Sequence, residues 1–227
     1  MSIINQLKKT FLYRKLYYPY RVKEINKINQ RKREIFKKEG KNALAQFIKC
    51  MDEENISYWL EFGTLLGVYR DGTFVPNEMD LDVGVYLRDA CRIYCAMMKF
   101  GFRLVREFHV VGENGLEQTY EYNGTTIDLM YFYESEGFML CNGAVIPTKY
   151  KKGKYFEHAI TSHHFQIFSC SKMLFGDMEV SVPSNVEEHL IEIYGSGFRV
   201  YDPNFKRDFN KKSYSMDEKK GIGFIIY

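Results

Sequence analysis

Asp80 and Asp82 stand two residues apart in an apolar run, Asp80-Leu81-Asp82-Val83. In an extended strand such a spacing puts both carboxylates on one face and sends Leu81 and Val83 to the other. Carboxylates held that close repel unless a cation lies between them. Hard oxygen donors of this kind suit Mg²⁺ or Mn²⁺ bridging to phosphate oxygens. A third acid, Asp128, is the only charge in the apolar stretch Thr125-Thr126-Ile127-Asp128-Leu129-Met130. A lone buried carboxylate is costly without partners. If its strand lies beside the first, the three acids converge, and Asp128 becomes a metal ligand or the base that deprotonates an attacking hydroxyl. Upstream, Gly63-Thr64 at a helix start offers unsatisfied N–H groups to a phosphate. Arg70 and the Lys-rich loop holding Lys149, Lys151, Lys152 and Lys154 are candidate partners for phosphate charge. His163-His164 and His158 are weaker candidates, since adjacent strand residues face opposite ways. The chemistry this set predicts is metal-dependent phosphoryl or nucleotidyl transfer.

The pattern also shows the elements that must carry these groups. Ala43, Leu44, Phe47, Ile48 and Met51 predict an amphipathic helix over 41–54. Tyr58-Trp59-Leu60 reads as a short strand, and Gly63-Thr64 opens a helix to about Arg70, closed by the turn Asp71-Gly72-Thr73. Leu81–Tyr86 predicts a strand and 89–100 a helix with Gly101 at its C-cap. Strands then follow at about 102–110, 116–122, 125–133 and 137–141. Residues 148–158 read as a polar loop, Phe175-Gly176-Asp177-Met178 as a hairpin turn, and 185–194 as a helix. The chain is therefore α/β, with a mixed, strand-rich centre.

Charge is placed unevenly in the 227 residues. Residues 1–38 hold twelve of the 32 Lys and Arg but two of the 29 acids, Glu24 and Glu34; the rest carries 20 basic against 27 acidic residues. This predicts a basic leader of two helices divided at Pro19, the second over about 21–38. It either packs on the body or contacts anionic lipid from one side. No recognised nucleic-acid motif accompanies the charge, so no nucleic-acid partner is expected. An aromatic load of 18 Tyr and 18 Phe excludes a disordered chain. Five Cys without zinc-ribbon spacing read as reduced thiols of a cytoplasmic protein. No apolar run is long enough for a membrane span, and no secretory signal is expected.

Phe62-Gly63-Thr64-Leu65-Leu66-Gly67-Val68-Tyr69-Arg70, the lead-in Phe74-Val75-Pro76 and Asp80-Leu81-Asp82 resemble the core motif of the LicD/fukutin phosphotransferases. Val180-Ser181-Val182-Pro183-Ser184-Asn185 through Leu190 to Tyr194-Gly195 resembles that family's C-terminal pattern. The likeness spans about residues 42–204, so the expected domains are a leader (1–40), a catalytic domain (41–204) and a polar tail (205–227). The resemblance implies a DNA-polymerase-β-like nucleotidyltransferase fold with a mixed central sheet and flanking helices. It also implies transfer of phosphocholine, ribitol phosphate or a similar group from a CDP-linked alcohol to a glycan or lipid-linked glycan. By position, Asp80 and Asp82 match its metal pair, Gly63 and Thr64 its phosphate loop, and Asp128 its third acid. Asn77-Glu78-Met79 departs from the family, whose members commonly carry a Trp and acids there; Glu78 keeps one acid and Met79 replaces another. The alternatives are transfer of an NMP from an NTP, a sugar transferase of another fold, and a non-catalytic binding module.

Overall fold

In the computed structural model, structure is described for residues 15, 17–110, 114–145, 152–202 and 214–226, the side chains of 214–220 excepted. Helix α1 (Tyr18–Glu53) is unbroken. Pro19 sits in its first turn, where a missing N–H costs nothing, so it starts a helix rather than dividing one. The expected segments at 21–38 and 41–54 are one rod, and buried Gly40 rests against the Phe36 ring at the junction. Whatever precedes residue 15, including the expected first leader helix, lies outside the described residues.

After β1 (Tyr58–Leu60) come helix α2 (Phe62–Asp71), strand β2 (Asp80–Tyr86), a 3-10 turn and helix α3 (Ala90–Lys99). Strands β3 (Arg103–Val110), β4 (Leu116–Tyr122), β5 (Thr125–Ser135), β6 (Phe138–Val145) and β7 (Tyr155–Gln166) follow. The hairpin β8 (Cys170–Phe175) and β9 (Met178–Pro183) leads to helix α4 (Val186–Tyr194), and β10 (Tyr214–Ile225) ends the chain.

The large sheet runs β1-β2-β5-β4-β3-β10-β7-β6, and β6 pairs again with the end of β5. Six strands thus close into a barrel-like ring, with β2 and β1 as an extension. β2 lies parallel to β5; the other pairings are antiparallel. The architecture is mixed α/β and dominated by its sheet.

Two expectations give way here. The end of the chain supplies β10, which bridges β3 and β7, rather than a loose tail. Residues 155–158 belong to β7 rather than to the polar loop. Both segments lack clean alternation because ring closure, not an amphipathic pattern, pairs them on two sides.

Strand alternation decides where core and site lie. Leu81, Val83 and Val85 on β2, with Ile127, Leu129 and Tyr131 on β5, are fully buried. They pack with Leu44, Phe47 and Met51 of α1 in the main core. Each such side chain withdrawn from water is worth roughly 1.5–3 kcal/mol. The intervening residues, Asp80, Asp82, Thr126 and Asp128, are forced onto the opposite face and stay half-buried. There a second apolar cluster, with Trp59, Phe62, Met130, Phe132 and Phe165, walls one end. All five thiols are free.

Candidate active site

The parallel register of β2 and β5 sets Asp82 directly beside Asp128 and Asp80 beside Thr126. Thr119 of β4 stands opposite Asp128, and Arg106 of β3 opposite Thr119. One row across four strands therefore reads Asp82, Asp128, Thr119, Arg106, and directly opposed residues share a face. A register irregularity between Leu104 and Arg106 accompanies the entry of Arg106 into that row.

Arg106 Nη2 donates to Asp128 Oδ2 at 2.6 Å and its Nε to Thr119 Oγ1 at 2.5 Å; Thr119 Oγ1 donates to Asp128 Oδ1 at 2.6 Å. Glu117 Oε1 lies 4.0 Å from the same guanidinium. Burial works against the Arg106 charge, but Asp128, Glu117 and Asp80 outweigh it and raise its pKa. Glu117 is itself pushed up to about 7, by burial first and then by Asp128.

Asp82 is held from the other side. Its backbone N–H donates to Thr64 Oγ1 at 2.8 Å, its carbonyl accepts from Glu61 N–H at 3.0 Å, and its Oδ2 accepts from Gly63 N–H at 3.2 Å. The groups expected to meet phosphate, Gly63 and Thr64, are thus engaged in fixing Asp82. Gly63 is required by space: a Cβ there would lie 2.7 Å from Glu78 Oε2 and 3.5 Å from Asp82 Oδ2. Two carboxylates meet over its bare Cα. Gly67 is required one turn later, where a Cβ would sit 2.5 Å from the Thr73 carbonyl oxygen. That close crossing lets the lead-in Thr73–Glu78 pass over α2 and deliver Glu78 to the cluster. Phe62 takes φ +41° at the start of α2, a strained conformation for a bulky residue and one that collects at functional sites.

Below this turn lies a group the sequence reading missed. Glu61, fully buried, accepts from Trp59 Nε1 at 2.8 Å and from Phe62 N–H at 3.3 Å, and its Oε1 lies 2.7 Å from His189 Nε2. It anchors the N-terminus of α2 to α4. A charged residue inside Trp59-Leu60-Glu61-Phe62 was the available signal.

Electrostatically the cluster is starved of positive charge. Burial, then Asp80 and Asp128, hold Asp82 well above the usual carboxylate range. Asp80 is raised to about 6 by burial and Asp128, against the pull of Arg106 and Lys32. Glu78 is raised to about 7 by burial and Asp80. The donor set is entirely oxygen, as a hard divalent cation prefers. Asp80, Asp82 and the adjacent Glu78 fit such an ion. Among the described residues, however, no three His, Cys, Asp or Glu side chains already form a metal cage.

The family model described as LicD/FKTN/FKRP, nucleotidyltransferase domain, matches residues 55–185. The chain belongs to the LicD family. Ribitol-5-phosphate transferase FKTN of Homo sapiens is 29% identical over 167 residues, covering 73% of this chain and 34% of that protein. Ribitol 5-phosphate transferase FKRP of Homo sapiens is 33% identical over 98 residues, covering 40% of this chain and 20% of that protein. The chain thus spans about a third of the length of the FKTN relatives it matches (34%). A crystal structure of the lincosamide antibiotic adenylyltransferase LnuA, lincomycin-bound, superposes with a TM-score of 0.42 at 15% identity, over 70% of this chain and 87% of that one.

Within this LicD chain the remaining predicted residues separate. Arg70 is already satisfied: Nε and Nη2 donate to the Asp71 carboxylate at 2.8 and 2.7 Å and Nη1 to the Phe198 carbonyl at 3.1 Å. It lines a cleft of about 350 Å³ with Gly63, Leu66, Pro76, Tyr194, Phe198 and Tyr201. Lys152 is exposed in the turn before β7, with no ion pair to the acids among the described residues; Lys149 lies outside the described residues. His163 is buried against Phe62, ring centroids 5.3 Å apart, whereas His158 is buried against Phe108 inside the ring. Arg106 escaped the sequence reading because only the register of β3, β4 and β5 brings it to Asp128.

Proposed function

We propose that this chain transfers a phosphorylated alcohol, ribitol phosphate or phosphocholine, from a CDP-linked donor to a hydroxyl of a glycan or lipid-linked glycan. The observation that carries this reading is the charge-starved, all-oxygen cluster Asp80, Asp82 and Glu78, gathered over Gly63 on one face of β2. The ribitol phosphate transferases among the relatives supply the class of transferred group.

Asp80 and Asp82 would hold Mg²⁺ or Mn²⁺, which when bound supplies charge to the donor diphosphate and to the departing CMP. The chain's own work is placement. Gly63, Thr64 and Glu61 fix Asp82 at three atoms, so its carboxylate cannot turn from the cleft. The aromatic cleft beside Gly63, with Tyr194, Phe198 and Tyr201, receives the nucleotide. Asp128 Oδ1 takes the proton of the acceptor hydroxyl while Arg106 keeps Oδ2 in place. The acceptor oxygen bonds to the alcohol-bearing phosphorus, and the bond from that phosphorus to CMP breaks in line.

The test is CMP release from CDP-ribitol, CDP-choline and CDP-glycerol with an acceptor glycan and Mg²⁺, with Asp80→Asn beside it. Release that depends on Asp80 is expected. Pyrophosphate released from an NTP instead would establish the nucleotidyltransferase alternative, and no metal-dependent donor binding the non-catalytic one.

The same proposal extends to the start of α1. From Phe36 onward the helix packs on the body, but Tyr18, Ile25 and Ile28 are exposed among Arg21, Lys23, Lys27 and Arg31. An amphipathic basic rod of this kind suits a peripheral site on an anionic membrane, at the inner face for a cytoplasmic enzyme. No helix of the described residues is long and apolar enough to cross a membrane.

A further inference from the structure

A second cleft, about 460 Å³, lies on the other side of Val75-Pro76 from the aromatic one, and those two residues line both. Its chemistry is opposite. Arg33, Lys37 and Lys41 project into it from α1, and Thr73–Glu78 forms the facing wall, ending at Glu78 of the acidic cluster.

The three cations stand at i, i+4 and i+8, one stripe of a helix running about 12 Å. Like charges at that spacing repel one another and destabilise a helix. No carboxylate relieves them: among the described residues none is ion-paired with Arg33, Lys37 or Lys41. The helix that carries them is fixed on the body. Phe36 is buried between them and packs on Phe74 with centroids 4.9 Å apart, and Lys41 Nζ lies 5.1 Å from the Phe175 ring centroid.

We infer that this cationic cleft binds a phosphate group carried by the acceptor, holding it so that its hydroxyl meets the acids from the side opposite the nucleotide. The inference rests on the transferase reading and names its acceptor class as a phosphate ester rather than a neutral glycan. An acceptor arriving past Glu78 and a nucleotide arriving past Gly63 approach the same strand from two directions, as in-line displacement requires. One cleft is lined by aromatic rings and a satisfied Arg70, the other by cations without carboxylate partners.

The experiment is a titration of the full chain with ribitol 5-phosphate, ribitol, inorganic phosphate and phosphatidylglycerol vesicles in EDTA, and with CDP in Mg²⁺, followed by calorimetry. The double variant Arg33→Ala, Lys37→Ala is compared after its melting temperature is shown to match. Expected is binding of ribitol 5-phosphate and phosphate but not ribitol, weakened about tenfold or more in the variant, with CDP affinity unchanged. Equal loss of CDP affinity would assign the cleft to the donor diphosphate and overturn the inference. So would absence of phosphate binding, or a response only to phosphatidylglycerol vesicles, which would make the stripe a lipid contact. Because the phosphate titration needs neither metal nor turnover, it stands apart from the transferase reading. That reading fails instead if no CDP-alcohol yields CMP.

Discussion

Two groups of carboxylates lie side by side on one face of the sheet, and their charge balance is opposite. Asp128 has a guanidinium at 2.6 Å and a hydroxyl at the same distance on its other oxygen. Asp82, its neighbour across the β2–β5 pairing, has a backbone N–H at 3.2 Å and, among the described residues, no ion-paired cation. Glu78, and Asp80 despite the pull of Arg106 and Lys32, are raised to about 7 and about 6, by burial first. The first group carries its own cation, which braces the sheet and holds Asp128 Oδ2 in place. The second opposes folding at neutral pH, because burial and mutual repulsion both penalise its charged form. On the function proposed above, that cluster is the place for a cation brought from outside.

The comparison breaks most visibly on removing one charge from each side. Asp82→Asn should cut CMP release by on the order of 10²–10³-fold, as loss of a principal charge-stabilising group does. The same change should leave the metal-free protein as stable as before or more so, since it removes repulsion. Arg106→Met should do the reverse to stability, costing about 2–3 kcal/mol by leaving Asp128 and Glu117 without their cation. Urea unfolding of both variants checks this; a larger loss in Asp82→Asn than in Arg106→Met would reverse the assignment of the two groups. Gly63→Ala should fall between. Its Cβ, 2.7 Å from Glu78 Oε2, would push Glu78 off Asp82 and lower activity about tenfold, while Glu78→Ala in the same background should recover part of it by freeing that space.

How much of this contrast was legible in the sequence follows from which interactions are local. Asp80 and Asp82 declare themselves because Leu81 and Val83 fix the face by alternation, and the structure puts all four where a period of two requires. Gly63-Thr64 was legible as a helix start beside the acids, but its partner was not. Its N–H and hydroxyl serve Asp82, 19 and 18 residues away. Asp128 was legible as an anomaly in an apolar strand. Its cation was hidden, because Arg106 reaches it only through the pairings of β3 with β4 and of β4 with β5. The same limit concealed β10, which carries Gly221 and Gly223 against the His158 and Phe108 rings and closes the ring of strands without an alternating apolar signal. The helix at 41–54 was legible from its apolar stripe. Its continuity with the basic segment was not, because Pro19 and the dense charge before Phe36 read as a separate helix, and burial on the body begins only at Phe36.

The smallest effect sharpens the contrast by pH alone. Asp80 and Glu78 have folded pKa values near 6 and 7, above their unfolded values of 3.8 and 4.5. Between about pH 4 and 7 the folded chain therefore holds more protons than the unfolded one, and stability must fall as pH rises through that window. Above it the loss is complete and the curve is flat. Glu117, raised to about 7, adds a slope of the same sign, so Glu117→Gln and Asp80→Asn should each remove part of the decline in melting temperature. Mg²⁺ separates the two. At pH 8, with Mg²⁺ at about ten times its dissociation constant, the native protein should gain roughly 1.4 kcal/mol. That is about 2–6 °C for a domain of this size. Glu117→Gln should keep that gain and Asp80→Asn should lose it. Equal gains in all three proteins would mean that the ion binds elsewhere, and that the poorly compensated charge on β2 is not its site.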